Sequence, residues 1–397
     1  MVGLLYPYLG RPVAEIVKRR QIVILQPRIQ HYRVPVFDEL RSMGANDYDL
    51  QVWGTLRDGE VVGGGKRDYF YDLPLKRSGL GRRRCEWWPG VKQRLVQASP
   101  DLVVCPVYPS NLTSWMMPGF CRKRQISCVG WGKVYGKTSN ALAMKLKQRL
   151  FCKYDRMLVY GNRSLDELCD IFGYERKKVF VTKNTIDTQR IFDLRDDYAE
   201  QAKELRKTHQ LEGAKVLLCI AKMEHGKRHA DLLAAWPMLR ELDPKLHLVL
   251  AGSGSLHDEI ADQCSEMDSE RIRFLGRVPA GHDYTWIAAS DMTIQCGAVG
   301  LAVNQSLAFG KPTIIADEIS PDTEALTHGV NGWRYVKGDT ASLVEAVKQI
   351  LTNPAKADDL ASQGPITIQN EFSIKNMVNK IHECMMDALG DLRSNSA

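Results

Sequence analysis

No apolar run in the 397 residues approaches the ~18 consecutive positions that a membrane-crossing helix needs, so a spanning protein is not expected. No Cys-x-x-Cys pair occurs, and none of the ten cysteines, scattered from Cys85 to Cys384, stands in a histidine-rich spacing. That argues against a zinc site and against a disulfide framework, and for reduced, buried thiols in a cytosolic chain. Internal repeats and low-complexity segments are missing as well. The opening segment, MVGLLYPYLGRPVAEIVKRRQIVIL, places its basic cluster after its apolar part and offers no small-residue cleavage site. A secretory signal is therefore not expected.

What is present is ordinary for a soluble protein: 44% hydrophobic and 25% charged residues. The length exceeds one core and predicts two domains of ~150–200 residues. The net charge of +7 conceals an asymmetry. Residues 1–195 carry 34 Lys and Arg against 18 Asp and Glu, and the remainder carries 20 against 29. A basic half implies a polyanionic neighbour, such as nucleic acid, an anionic membrane surface or a phosphate-bearing substrate.

Along the first half, QIVIL (21–25), YDLQVWG, DLVVCPV (101–107), QISCVGWG (125–132), RMLVYG and KVFVTKN read as strands. RIQHYRVPVFDEL reads as a loop leading into a helix, and SNALAMKLKQRLFCKY and SLDELCDIFG, which ends at Gly173, as helices between them. A polar stretch, DLRDDYAEQAKELRKTHQLEGAK, then separates the halves. The alternation begins again with the strands VLLCIAK, LHLVLAGSG, RIRFLGRV, MTIQCG and PTIIADE, and with the helices KRHADLLAAWPMLREL and YTWIAASD. The tail segments SLVEAVKQILT and NMVNKIHECMMDALGDL read as helices. Strand–helix alternation predicts an α/β chain with two doubly wound parallel sheets, and a ligand at the strand C-termini facing the cleft.

The stretch CGAVGLAVNQSLAFGKPTI (296–314) has the form of an anion site, with glycines, then a helix, then a stop at Gly310 and Pro312. Its only side chains able to grip a ligand are the neutral Asn304, Gln305 and Ser306. The cations of such a site must come from elsewhere.

Several ordered stretches resemble the family 4 glycosyltransferases. NTID (184–187) is similar to the family's Asn-Gly-Val-Asp turn, and IAKMEHGKRHADLL to its Gly-Arg-Leu…Lys-Gly…Leu segment. LVLAGSGS and IRFLGRV match its next two strand-loop elements, GLAVNQSLAFGKPTI its Gly-Leu-x-x-x-Glu-Ala-x-Ala-x-Gly-x-Pro element, and EALTHGVNGW its Glu…Gly-x-Asn-Gly element. In the first half, WGKVYG (131–136) and YGNRSLDEL (160–168) are similar to a bacterial glycan-assembly subgroup with Trp-Gly-His-Gly-x-Tyr-Gly.

The resemblance implies the GT-B fold. The expected division is an acceptor domain at 1–192, a donor domain at 193–371, and a terminal helix, 372–397, returning to the first. It also implies transfer of a sugar from a nucleotide-diphospho-sugar to a hydroxyl of a glycan or lipid-linked acceptor, with anomeric retention and no metal. Lys222 and Lys227 would then bind the diphosphate and stabilise the charge that builds as the C–O bond breaks. Lys222 stands where the family has Arg, which keeps the charge but loses the bidentate fork. The turn Gly297, Ala298, Val299, Gly300 and Leu301 would offer backbone N–H groups to the phosphates. The family's two glutamates, eight positions apart, fall at Gly297 and Gln305, and both are absent. Gln305 can still hydrogen-bond a ribose, without charge assistance. Glu324 would meet a donor hydroxyl or an adjacent helix end.

From the first half, His31, Arg33, Trp131 and Lys133 are expected at the cleft, with Lys133 in place of the subgroup's His. The plain alternative for His31 and Arg33 is a packed ring and a surface cation. GLGRRRCEWWPGVKQRL (79–95) mixes Arg82, Arg83 and Arg84 with Trp87 and Trp88. That mixture suits a lipid headgroup interface, or single-stranded nucleic acid, or a solvated loop with its tryptophans turned inward. The first of these is preferred, which places the protein peripherally on the cytoplasmic face of the membrane, with no nucleic-acid partner. Two other readings compete with transfer. A sugar-nucleotide epimerase of the same shape would need a positioned acid/base set, which the sequence does not display. A catalytically degenerate, membrane-associated partner protein would bind no donor.

Overall fold

In the computed structural model, residues 19–59, 61, 64–79, 85–134, 141–279, 281–318 and 320–394 are described, with side chains to residue 390. The aliphatic runs of the first half become strands β1 (Arg20–Arg28), β2 (Tyr48–Thr55) and β3 (Phe70–Asp72), a short ribbon of β4 (Lys76–Ser78) and β5 (Cys85–Trp87), and then β6 (Leu102–Pro106), β7 (Ser127–Gly132), β8 (Arg156–Val159) and β9 (Val179–Val181). Apart from the antiparallel ribbon they form one seven-stranded sheet in the order β3-β2-β1-β6-β7-β8-β9, with every pair parallel. The second half supplies β10 (Lys215–Ile220), β11 (Leu246–Ala251), β12 (Ile272–Gly276), β13 (Met292–Gln295), β14 (Thr313–Ala316) and β15 (Gly332–Tyr335). These make a six-stranded parallel sheet in the order β12-β11-β10-β13-β14-β15.

Strands such as β6, β8, β13 and β14 are buried at every position, as expected when helices cover both faces. In each sheet the chain winds one way from a central strand and then the other. The order reverses between β1 and β6 and between β10 and β13. The crevice outside the C-terminal ends of such a pair is where open α/β sheets bind ligands. The loops leaving β10 and β13 carry Lys222 to Arg228 and Cys296 to Leu301, so the sheet topology alone brings the lysine loop to the glycine turn.

One segment differs from the sequence reading. The charged stretch between the halves is not a spacer. Arg195–Thr208 is a helix that buries Tyr198 and Ala202 and half-buries Leu205, a narrow apolar stripe in a polar sequence. The Tyr198 ring packs edge-on to Tyr284 and Phe309, at 5.6 and 5.4 Å between centroids. At the far end, the Ile374–Ser394 helix lies in the core of the first sheet, where Met377, Val378, Ile381, Cys384 and Met385 are fully buried. Ser127 Oγ donates to the Ala388 carbonyl at 2.7 Å, tying that helix to β7.

The lipid-anchor expectation for Trp88 is wrong. Trp88 is 2% exposed and packs in a core with Leu73, Val91, Leu95 and Met117. The reason is the β4–β5 ribbon, which turns the chain so that Trp88 follows it inward, while Trp87 stays half-buried on the ribbon itself. Arg82, Arg83 and Arg84 lie outside the described residues. Trp88→Ser is expected to cost about 3–5 kcal/mol of stability, and Trp87→Ser far less. Urea denaturation of the two single variants tests this, and equal midpoints would refute the packing assignment.

Candidate functional site

The lysine loop follows β10 and contains a short turn, His225–Lys227, before the His229–Leu239 helix. Arg228 adopts a left-handed conformation (φ 54°) and pairs with Asp231 at 2.6 and 2.9 Å, which fixes the loop's exit. Lys227 is half-buried and its Nζ donates to the Ala298 carbonyl on the loop after β13. In return Ala298 N–H donates to Gly226 O at 2.8 Å. The two loops are thus stitched from both sides. Burial lowers the Lys227 pKa from its ordinary value, opposed by Cys219, Asp322 and Glu224, while the neighbouring charge of Lys222 lowers it further. Lys222 is exposed.

The glycine turn is built differently from expectation in one respect. A Cβ at Gly297 would meet Gly226 O at 2.3 Å, Lys227 C at 2.7 Å and Lys227 Cα at 2.9 Å. Position 297 is therefore filled by the lysine loop's own backbone, and the family's glutamate there is sterically incompatible with this arrangement. A Cβ at Gly300 would find only Lys227 Nζ, at 3.7 Å. Ala298 N–H is committed to Gly226, and Val299 is a core side chain. The donors left at the head of the Ala302–Ala308 helix are those that precede its first internal bonds, which run from Val303 N–H to Gly300 and from Asn304 N–H to Leu301. Gln305, one turn in, donates to Asp283 Oδ2 at 3.3 Å, so a carboxylate stands beside the position where the second glutamate is missing.

The first half contributes less freely than predicted. Arg33 is 7% exposed and surrounded by Tyr32, Tyr160 and Trp131, with its guanidinium 5.3–5.8 Å from the ring centres. It donates to Asn184 Oδ1 and to Met377 Sδ. Arg33 is thus a caged cation rather than an open phosphate hook. Trp131 is 3% exposed and serves as a wall of that cage, not as a cleft surface. His31 and Lys133 are exposed.

Between the halves sits a group that the sequence reading missed. Asp322, mostly buried, accepts from Asn184 Nδ2 at 2.6 Å. Its burial raises the carboxyl pKa, and that is opposed by the Asn184 hydrogen bond and by the charges of Lys133, Arg33 and Lys227. One carboxylate therefore gathers cations from both sheets. Asn184 also offers its carbonyl to Asn304 Nδ2 at 3.0 Å, so the NTID turn touches both sides. Glu324 meets a helix end rather than an open pocket. It accepts from Asn162 N–H (2.9 Å), Arg163 N–H (3.3 Å) and Lys183 Nζ (3.1 Å), capping the Asn162–Asp166 helix of the opposite half. Asp322 had no sequence signal of its own. In SPDTE it reads as a first-turn acid of a capped helix, and Ser320 does accept from Asp322 N–H.

His229, buried directly behind Lys227, has no hydrogen-bond partner at either ring nitrogen among the described residues. Burial, helped by the Lys227 charge, depresses its pKa from 6.5 to about 4. The unfolded chain then binds a proton between those two values that the folded chain refuses, so this residue erodes stability as pH falls from 6.5 towards 4. His229→Leu is expected to raise stability by about 1–3 kcal/mol, through loss of two unpaired buried polar atoms, and to flatten that acid limb. Thermal melts across the window check both effects, and an unchanged limb would contradict the assignment.

Among the described residues no group of three His, Cys, Asp or Glu is placed to hold a metal, and no helix is long and apolar enough to cross a membrane. Residues 201–366 match the sequence family described as glycosyl transferases group 1. The chain is 25% identical over 333 residues to a glycogen synthase of Mycobacterium tuberculosis, covering 82% of this chain and 72% of that one. Its fold superposes on HepE of Anabaena in complex with UDP, at a TM-score of 0.71 and 15% identity over 93% of this chain and all (100%) of that one. It also superposes on a sucrose-phosphate synthase of Thermosynechococcus elongatus, at 0.71 and 13% over 94% and 100%. The matched segment spans both the lysine loop and the glycine turn, and through it the chain is similar to the family 4 (group 1) glycosyltransferases, while its two parallel sheets have the arrangement of the GT-B fold.

Proposed function

We propose that this glycosyltransferase moves a sugar from a nucleotide-diphospho-sugar to a hydroxyl of a glycan or lipid-linked acceptor, with retention at the anomeric carbon and without a metal. The observation that carries the donor assignment is the convergence of Lys222, Lys227 and the head of the Ala302–Ala308 helix at the β10/β13 switch point. A diphosphate placed there meets two ammonium groups and outward backbone N–H groups, in a crevice that burial makes partly non-aqueous. As the anomeric C–O bond breaks, its electron pair passes to the diphosphate oxygen, and Lys227 faces the developing charge. The acceptor oxygen bonds to the same carbon from the face the phosphate leaves, and its proton passes to a diphosphate oxygen. Asp322 faces the charges of Lys133, Arg33 and Lys227, and a bound diphosphate would share those cations with it.

The UDP held by the Anabaena structure makes uridine the first base to try. Thermal shift with UDP, GDP and their sugars tests the donor, since a ligand of the native state raises its apparent stability. Proton NMR of the anomeric signal in product, with and without EDTA, tests retention and metal independence. No shift with any nucleotide would overturn the donor reading, and an inverted anomer or loss of activity in EDTA would overturn the mechanism. The epimerase and degenerate-partner readings are not favoured: the likeness to a putative UDP-N-acetylglucosamine 2-epimerase of Listeria monocytogenes, at 13% identity, is one of fold alone.

A further inference from the structure

Between Asp101 and Asp155 the chain contains no acidic residue. The chain's average of 47 acids in 397 residues would place about six in that interval, and nine lysines and arginines occupy it instead. The fold concentrates them. The interval holds β6, the Leu112–Arg122 helix, β7 and the Ala141–Phe151 helix, and β6, β7 and β8 are successive neighbours in the sheet. Right-handed crossovers in one direction put both helices side by side on the same face. The other face belongs to the Val34–Met43 and Ile374–Ser394 helices.

On the Ala141–Phe151 helix the exposed positions Leu142, Lys145, Leu146 and Arg149 recur at helical spacing and form one stripe of alternating leucine and cation. On its neighbour, Leu112 is 51% exposed at the first turn and Arg122 closes the last. Leu146 is 43% exposed. Among the described residues Arg122, Lys123, Lys145 and Arg149 share no ion pair with a carboxylate. Leu112 and Leu142 stand in the first turns of their helices, which follow the C-terminal ends of β6 and β7, the end of the sheet that faces the cleft.

We propose that this two-helix face docks on an anionic phospholipid bilayer, with the leucines entering the interface and the cations meeting lipid phosphates. It replaces the Trp87–Trp88 loop as the membrane contact. Aliphatic leucines between cations favour lipid over nucleic acid, whose binding surfaces stack bases on exposed aromatic rings. Docking there would turn the cleft mouth towards the headgroups, within reach of a lipid-linked acceptor. That purpose rests on the proposed acceptor class, whereas the docking itself does not.

Co-sedimentation of the full chain tests it, with vesicles of phosphatidylcholine alone and of phosphatidylcholine mixed with phosphatidylglycerol. The native chain is expected to pellet with the mixed vesicles only. Leu112→Ser with Leu146→Ser, and separately Lys145→Glu with Arg149→Glu, should each lower partitioning by about tenfold. Both variants should keep the native melting temperature and the native response to nucleotide. A native chain that stays in the supernatant, or variants that pellet like it, would overturn the proposal. So would loss in the charge variant alone, coupled with tight binding of single-stranded RNA by the native chain. A chain that pellets as expected but shifts with no nucleotide would sink the donor reading and leave the docking face standing.

Discussion

Lys222→Ala combined with Lys227→Ala is expected to lower glycosyl transfer by about 10³-fold or more and to weaken nucleotide binding, with the fold retained. The two lysines do not contribute equally. Lys227 is half-buried and held on the Ala298 carbonyl, so its ammonium is already placed where charge is to develop and needs little reorganisation. Lys222 is exposed, and its charge is paid for by solvent until a ligand arrives. Lys227→Ala alone should therefore account for most of the loss, and mainly in kcat. Lys222→Ala should raise KM more than it lowers kcat, because it contributes to ground-state binding. Isothermal titration with the nucleotide, beside initial-rate kinetics, separates the two. Full activity in the double variant would remove the diphosphate assignment altogether. An equal loss of melting temperature and activity would instead mean that Lys227 only fastens two loops.

What could be read in the sequence follows from where each partner lies along the chain. Apart from the edge strands β3 and β15, which are short and only partly buried, the strands of both sheets were legible because parallel strands buried on both faces are continuous aliphatic runs, as in VLLCI and TIIA. The Leu112–Arg122 and Pro354–Glu371 helices were not. Each carries an internal proline, Pro118 and Pro365, next to a glycine, and that reads as punctuation until tertiary packing overrides it. That the lysine loop and the glycine turn lie together follows from sheet order, because both are local motifs at the ends of adjacent strands. The bridge between the halves was not legible. Asn184, Asp322 and Glu324 act on partners more than 130 positions away, such as Asn184 on Asp322 and Glu324 on Asn162. Nothing in the local spacing of a single carboxylate announces that three cations from two sheets will face it. The same limit explains Arg33, whose neighbours Trp131 and Tyr160 lie on β7 and just past β8.

The two glycines of the turn make the sharpest division between folding and binding. A methyl group at Gly297 has nowhere to go, because three backbone atoms of the lysine loop lie within 2.9 Å of its position and backbone cannot swing aside as a side chain can. Gly297→Ala is expected to unstitch the two loops, costing on the order of 2–4 kcal/mol in stability and nearly all transfer activity. Gly297→Glu, which would restore the family's residue, should be no better, since its Cβ meets the same atoms. Gly300→Ala has room, for its only near neighbour is the Lys227 ammonium at 3.7 Å, an ordinary contact distance. That methyl group would, however, stand between the ammonium and the phosphate proposed to meet it. Gly300→Ala should therefore melt like the native chain while binding nucleotide about tenfold more weakly, since it obstructs one charge-assisted contact. Melting curves and nucleotide titrations of the two alanine variants decide the matter. If Gly297→Ala melted normally and lost only nucleotide affinity, the turn would be a phosphate cradle at both glycines, and the fixed stitching between the loops would be wrong.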